Sequence, residues 1–412
     1  QSTEDVKPEV SAKFEGLVDV VEQKGQMKFL VADDRGLWLE DRWTDDDRIL
    51  LPPSRRDLPW AISDADRVSH YIDTDNDASL YDDVVAWTES ASVLPSLQHH
   101  DLLASWIMHT YLMEYCNYSP IIMLYSVAGS GKSRTGKSLV YTAYRGLHLE
   151  SLNPGYIMRT SDLAQCSCFF DVVDIWRRAK GRGSEDIILS RFERGARSAR
   201  VTNFSNDSFL STKFFDLFAP TVLGLNELPD ETLESRSIII SMQPSLKIFN
   251  NDVTAGAATD LRSRLTAFRA RHMLTGLPEV KKACAGRLGD ITKPLLQIAE
   301  MVKPEASERL LSIIGETQES RAGDLSCSLE AGILRAFHSL APEVRSGVIS
   351  VKRVTTVYNE SVSPRERIDP RTTGRRLKAL GFRQKVLGGG YAGYIWDGIN
   401  LHNQMMRYGL DT

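Results

Sequence analysis

Residues 129–138 read GSGKSRTGKS, and Gly-Lys-Ser occurs in them twice, at 131–133 and at 136–138. Glycines followed by a lysine and a hydroxyl residue suit phosphate chemistry. Backbone N–H groups of the loop and of the helix after it surround the phosphates. The lysine reaches the β and γ phosphates, and the hydroxyl ligates Mg²⁺. The strict spacing G-x-x-x-x-G-K-[ST] fits only the second copy, Gly131 to Ser138, because the first, Ser126 to Ser133, lacks its opening glycine.

Position in the chain argues for the first copy. The loop should open where the apolar run IIMLYSV ends, near Ser126 or Val127. Lys132 and Ser133 then start a helix of roughly four turns that ends near Arg145, with Lys137 and Ser138 inside it. The second copy needs an extra connector and leaves a shorter helix before Gly146. The preferred loop is therefore Ala128, Gly129, Ser130, Gly131, Lys132 and Ser133, with Arg134 beside it.

A second acidic signal follows. In CFFDVVDIW, Asp171 ends an apolar run, where a carboxylate can hold Mg²⁺ through water. Val172 occupies the position where a water-orienting glutamate would serve, and valine accepts no proton. Asp174, three residues on, is the nearest acidic substitute. Next, APTVLGLN ends in Asn226, whose side chain at a strand tip can touch a γ phosphate or an attacking water. Arg236 lies ten residues later, just before SIIISM, placed to reach the nucleotide of a neighbouring subunit and to stabilise charge there.

Two segments are basic. Residues 177–200 carry 8 bases and 3 acids, and residues 345–386 carry 11 and 3. Arg191, Arg194, Arg197 and Arg200 recur every three residues and share a face if helical. Such a face suits phosphates without reading sequence. In the second segment, Arg371, Arg375, Arg376 and Lys378 fall on an expected helix that starts at Pro370. A hairpin around GGG follows, and the pair looks like a winged helix set to meet duplex DNA.

The elements that must position these groups are legible as patterns. Residues 14–60 alternate apolar and polar positions, as in a small β-rich unit. Residues 1–100 hold 22 acids and 10 bases, an acidic contrast to the basic segments. From about Leu80 the period becomes helical. Buried strands at 120–127, 166–173, 219–226 and 237–242 alternate with helices, which implies an α/β core with a mainly parallel sheet. After Met242 the pattern is helical, and the last 85 residues read as a separate small domain. The expected segments are 1–78, 79–245, 246–325 and 326–412.

Composition is ordinary for a globular chain, with 42% hydrophobic and 25% charged residues. The five cysteines are irregularly spaced, as for reduced thiols in a cytoplasmic protein. His99-His100 reads as a solvated pair at a helix start. No apolar run reaches the length of a membrane span. The chain begins at Gln1 rather than Met, as a fragment of a longer protein would.

Taken in order, SVAGSGKSRTGKSL, FFDVVDIW, LSRFERGARSARV and FDLFAPTVLGLNELPDETLESRSIIISM resemble the AAA+ ATPase domain of helicases and primase-helicases of phages, plasmids and integrated elements. The resemblance covers about 100–245 and, more weakly, 286–301. It implies an ATP-driven and Mg²⁺-dependent homo-oligomeric ring, a hexamer, that acts on DNA. It assigns Lys132 and Ser133 to phosphate and Mg²⁺, Asp171 to Mg²⁺, Asn226 to sensor 1 and Arg236 to the arginine finger. Arg287, in the expected helical lid, would be a second sensor. The basic insert would line a channel for single-stranded DNA.

Three functions stay open at this stage. One is a DNA translocase or helicase that replicates a mobile element. Another is a DNA-binding or loading module that binds ATP and turns it over slowly or not at all, which Val172 favours. The third is a defence or regulatory protein built on the same core.

Overall fold

The computed structural model describes residues 7–45, 48–127, 129–172, 174–181, 183–201, 212–228, 230–386 and 392–410. The chain divides into two compact units, Gln1–Ile314 and Gly315–Thr412.

The first unit opens with β1 (Glu9–Val10), β2 (Leu17–Gln23), β3 (Gln26–Asp33), β4 (Gly36–Glu40), β5 (Trp43–Asp45) and β6 (Arg48–Leu51). Strands β2, β3 and β4 form an antiparallel meander. Lys24 and Gly25, both at positive φ, make the two-residue turn between β2 and β3. The helices α1 (Ala65–Thr74), α2 (Asp77–Ala91) and α3 (Gln98–His109) follow, the first two capped by Asp64 and Asn76.

This β-rich segment does not keep a core to itself. Val20, Phe29 and Val31 on one face of the meander join the main cluster with Trp106 and Ile122. Val18, Val21, Leu30 and Ala32 on the other face pack with Ala65, Val68 and Ala267. Both faces are therefore covered, and the segment belongs to the compact unit that runs to Ile314. The solvated reading of His99-His100 is also corrected. His100 is buried and bonds Thr88 Oγ1 at 2.9 Å.

The central sheet comes next: β7 (Ile121–Tyr125), α4 (Lys132–Thr142), β8 (Leu147–Leu149), α5 (Pro154–Ala164), β9 (Cys168–Phe170), α6 (Ile175–Gly181) and α7 (Glu185–Leu189). An antiparallel pair, β10 (Arg197–Val201) and β11 (Thr212–Asp216), precedes β12 (Thr221–Leu225), α8 (Glu231–Glu234) and β13 (Ser237–Ser241). The five-stranded order is β13-β7-β12-β9-β8, and every pairing is parallel. Parallel strands send all their C-terminal ends to one edge, where ligands of open α/β sheets bind.

Helices α9 (Thr259–His272) and α10 (Gly286–Val302) follow, and α11 (Pro304–Ser326) runs past the unit boundary. Helix α9 absorbs part of the N-terminal acidity. Arg264 pairs with Asp75 at 2.9 Å and Asp83 at 2.6 Å, and Asp77 takes Arg271 and His272.

The second unit contains α12 (Leu329–Ser339), β14 (Val348–Ser350), α13 (Val351–Ser361), α14 (Pro370–Ala379), β15 (Gln384–Val386), β16 (Ala392–Ile395) and α15 (Gly398–Arg407). Its strands form an antiparallel sheet, β14-β16-β15, over a core of Ile333, Phe337, Val354, Leu377 and Tyr394. The GGG segment expected to form a hairpin lies outside the described residues.

Candidate nucleotide and nucleic-acid sites

Helix α4 begins at Lys132, and Gly131 is its N-cap with φ of 87°. Gly129 has φ of 86°. Both values lie in the left-handed region that glycine adopts without a Cβ penalty. The chain thus turns directly from β7 into α4, and no side chain caps the helix N-terminus. An uncapped N-terminus leaves backbone N–H groups directed outward, which is the donor chemistry a phosphate needs. Ala128 lies outside the described residues.

The second Gly-Lys-Ser belongs to the helix interior. Ser138 is fully buried and donates to Thr135 O at 2.7 Å, while its own carbonyl accepts from Trp87 at 3.0 Å. Gly136 serves packing: a Cβ there would stand 2.2 Å from Phe169 of β9. The textual motif is satisfied at positions that cannot form a loop.

The Lys132 ammonium donates to Ser126 O at 2.7 Å, Ser126 Oγ at 3.0 Å and Val127 O at 2.9 Å. Burial lowers its pKa from the ordinary value, and the Asp171 carboxylate opposes that shift. Ser133 is exposed on the first turn, and Ser130 turns inward to Val127 O at 3.1 Å. Arg134 is committed elsewhere. Its guanidinium donates to Ala91 O and Asn251 O and lies 4.8 Å over Phe249, so it clamps α2 and the segment after β13 to α4.

Asp171 follows β9 directly, and its backbone N–H donates to Leu149 O at 2.9 Å. Its carboxylate stands near Gly224 of β12, where an added Cβ would be 3.7 Å from Oδ1. Asn226 is the first residue past β12 and is exposed. The loop start is tied to it, since Ser126 N donates to Leu225 O at 3.2 Å. Because β12 lies between β7 and β9, Lys132, Asp171 and Asn226 share the C-terminal edge of the sheet.

Val172 is buried at 4% exposure in the main core, so its side chain does not enter this edge. Asp174 is exposed in a left-handed turn with φ of 53°. His148 carries no signal in the sequence. It ends 3.5 Å from Asp171 Oδ2 and stacks on Phe169 with ring centroids 5.4 Å apart. Only the pairing of β8 with β9 creates that contact, and a single histidine in a short strand carries no local signal.

Arg236 and Arg287 lie elsewhere. Arg236 O accepts from Ile121 N at 3.2 Å, at the start of β7. The loop leaves the other end of that strand, five residues or about 16 Å away. Arg287 donates to Ser235 Oγ at 2.9 Å, so it stands beside Arg236. Arg287 therefore stands at the end of β7 opposite the glycine loop.

The insert arginines are also redistributed. No continuous helix carries them. Arg191 sits in a short 3₁₀ turn and is completely buried. It donates to Thr221 Oγ1 at 2.7 Å, Cys166 O at 3.0 Å and Pro220 O at 3.1 Å, and to Ser161 Oγ. Arg194 donates to Cys116 O at 2.8 Å and to Met113 O, and lies over Phe218. Arg191 is thus closed to nucleic acid, whereas Arg194 is exposed while anchored to these carbonyls. Arg197 and Arg200 are exposed on β10, where a spacing of three puts them on opposite faces.

On α14, Arg371, Arg375, Arg376 and Lys378 are all exposed, while Thr373 and Leu377 face the core. Arg376 pairs with Glu330 at 2.9 Å. Asp369 caps the helix by accepting from Thr372 N at 2.6 Å. Among the described residues no helix is long and apolar enough to cross a membrane.

No protein-family profile matches the chain, and neither does any curated protein. Solved structures give weak likenesses. The apo A form of the NrS-1 C-terminal region is 10% identical, with 93% of this chain and 97% of that one covered and a TM-score of 0.37. The active helicase Cch of SCCmec type IV is 11% identical, with 95% and 81% covered and a TM-score of 0.35. Inhibitor-bound JCV helicase is 15% identical, with 64% and 68% covered and a TM-score of 0.29. At such TM-scores these likenesses carry no argument, and the functional reading rests on the residues described above.

Proposed function

We propose that this chain is the ATP-binding subunit of an oligomeric AAA+ ATPase that works on DNA as a helicase or translocase of a mobile element or phage. One observation carries the reading. The strand order β13-β7-β12-β9-β8 gathers the glycine loop with Lys132, the carboxylate of Asp171 and the amide of Asn226 on one edge. Lys132 and the open N-terminus of α4 would bind the β and γ phosphates. Ser133 and Asp171 would hold Mg²⁺, which supplies charge neutralisation on the phosphates when bound. Asn226 would orient the γ phosphate or the attacking water. Arg236, at the far end of β7, would act on a neighbouring subunit.

DNA contact is assigned to exposed cations. Arg197 and Arg200 on the β10–β11 pair would track single-stranded phosphates in a ring channel. The helix, strand, helix, helix, hairpin order of the second unit supports a winged helix, with α14 presenting Arg371, Arg375 and Lys378 to duplex DNA. Four functional segments, 1–78, 79–245, 246–325 and 326–412, and a hexameric ring belong to the same proposal.

A second reading is favoured by Val172. With an apolar, buried side chain after Asp171, the chain would bind ATP and load or hold DNA with little turnover. The deciding experiment measures binding of a fluorescent ATP analogue, then turnover with and without single-stranded DNA. Lys132→Ala should abolish binding and Lys137→Ala should leave it. The opposite result would sink the loop assignment, and binding without turnover would select the second reading.

A further inference from the structure

We propose that the cavity between the C-terminal end of α4, the edge strand β8 and Arg262 of α9 is a second ligand site of this chain, for a small carboxylic acid with a flat apolar body. It is independent of the nucleotide site assigned to Lys132. Tyr141, which lines the cavity, lies about 14 Å along α4 from that lysine.

The cavity has a volume of about 280 Å³. Val140, Leu147 and Leu149 give it apolar walls, and Tyr141 and Tyr156 add two phenol rings. Tyr156 is 39% exposed, so its ring marks the open side. Strand β8 ends the order of the central sheet. Leu147 N donates to Ser167 O at 2.8 Å, and Leu149 O accepts from Asp171 N at 2.9 Å, both on the β9 side. The residue between them turns its main chain the other way. His148 therefore offers one N–H and one C=O on the unpaired edge that lines the cavity.

Arg262 supplies the charge. It is only 7% exposed. Its Nη1 donates to Tyr141 O at 3.0 Å and Ala255 O at 2.7 Å, and its Nη2 to Thr259 Oγ1 at 3.2 Å. Nε is buried without a hydrogen-bond partner. A guanidinium carries five N–H donors, so these bonds leave Nε–H and one Nη2–H unspent. Among the described residues no carboxylate pairs with Arg262. Two other buried arginines do have acids, Arg145 with Asp19 at 2.8 Å and Arg269 with Glu114 at 2.6 Å. Burial lowers the Arg262 guanidinium from its ordinary value, Tyr111 opposes that shift, and the charge of Arg55 adds to it. The acid that acts on the Tyr141 phenol, Glu150, is itself exposed and so screened by solvent.

A buried cation without an acid is costly, and an anion that enters beside it removes the cost. One uncompensated charge calls for one negative charge, which selects a carboxylate over a phosphate dianion. The apolar walls and the small volume call for a body of about one ring.

The probe is benzoate, with neutral benzamide as its control, titrated into the full chain and followed by saturation-transfer NMR. Benzoate should bind with a Kd of about 1 mM or tighter, and benzamide at least about tenfold more weakly. Arg262→Gln should weaken benzoate at least about tenfold in protein that circular dichroism shows to be folded. Tyr156→Ala, on the open side, should weaken it several-fold. Lys132→Ala should bind benzoate as the wild type does.

Benzoate and benzamide that bind alike overturn the proposal, because the cation then selects nothing. So does a wild type that shows no benzoate binding up to about 10 mM. Benzoate binding lost in Lys132→Ala overturns it in favour of the glycine loop. Folded Arg262→Gln with wild-type benzoate affinity overturns it as well. If Arg262→Gln does not fold, Tyr156→Ala decides, and an unchanged affinity there overturns the site.

Discussion

Gly136 lies so close to Phe169 that a Cβ added at 136 would stand 2.2 Å from the ring. The helix after the glycine loop therefore packs directly against β9, the strand that leads into Asp171. Helix propensity alone says Gly136→Ala should stabilise by about 1 kcal/mol. The contact predicts the opposite sign, a net loss of about 1–3 kcal/mol from overpacking. Urea unfolding of both proteins decides it, and a stabilised variant would refute the close approach.

Arg191 and Arg197 should separate cleanly. Arg191→Ala leaves several buried acceptors without donors, at a cost of at least about 3 kcal/mol. DNA affinity per folded molecule should not change. Arg197→Ala should leave the urea midpoint in place, weaken DNA binding and reduce the salt slope by about one. A weaker salt slope from Arg191→Ala at full stability would put that residue back at the interface.

Stability should fall in mild acid because of His109. Burial pushes its pKa down to about 4, from an ordinary 6.5. Its Nδ1–H donates to Trp106 O, which leaves Nε2 to accept from Ser119 Oγ at 2.9 Å. Between pH 6.5 and about 4 the unfolded chain binds a proton that the folded chain refuses. Stability is thus whole above pH 6.5 and declines below it, by up to about 3 kcal/mol from this group. Urea midpoints of wild type and His109→Gln from pH 7 to pH 4.5 test this. Equal slopes for the two proteins would count against it.

Val172→Glu should not restore a catalytic base. The side chain at 172 points into the core, so a carboxylate there is desolvated and costs about 2–3 kcal/mol. Turnover with single-stranded DNA should stay at the wild-type rate. A faster enzyme of unchanged stability would mean that position 172 faces the nucleotide.

Much of the C-terminal edge of the central sheet is readable locally. An apolar run, glycines, then a lysine and a serine specify strand, turn and helix over a dozen residues. That is why the register at Lys132 follows from the chain itself, while the spacing rule alone selects Gly136, which is in fact a packing position. The arginines at 191–200 show the converse. Equal spacing by three fits a helix face, but a 3₁₀ turn and a strand divide the four between core, main-chain clamp and two sheet faces. Burial of Arg191 depends on Ser161 and Thr221, each 30 residues away.

The sequence by itself determined the order of strands and helices, the glycine turn, Asp171 and Asn226 at strand tips, and the departure at Val172. These follow from period, apolar runs and turn chemistry, which act over a few residues. Tertiary structure decided the rest. It turned the β-rich N-terminal segment into part of one core, spent its acids on α9, brought His148 to Asp171 and set Arg287 beside Arg236. Each of those outcomes is a pairing between segments far apart in the chain. The energy that selects such pairings comes from sheet order and buried area, and neither is written in any one stretch of residues.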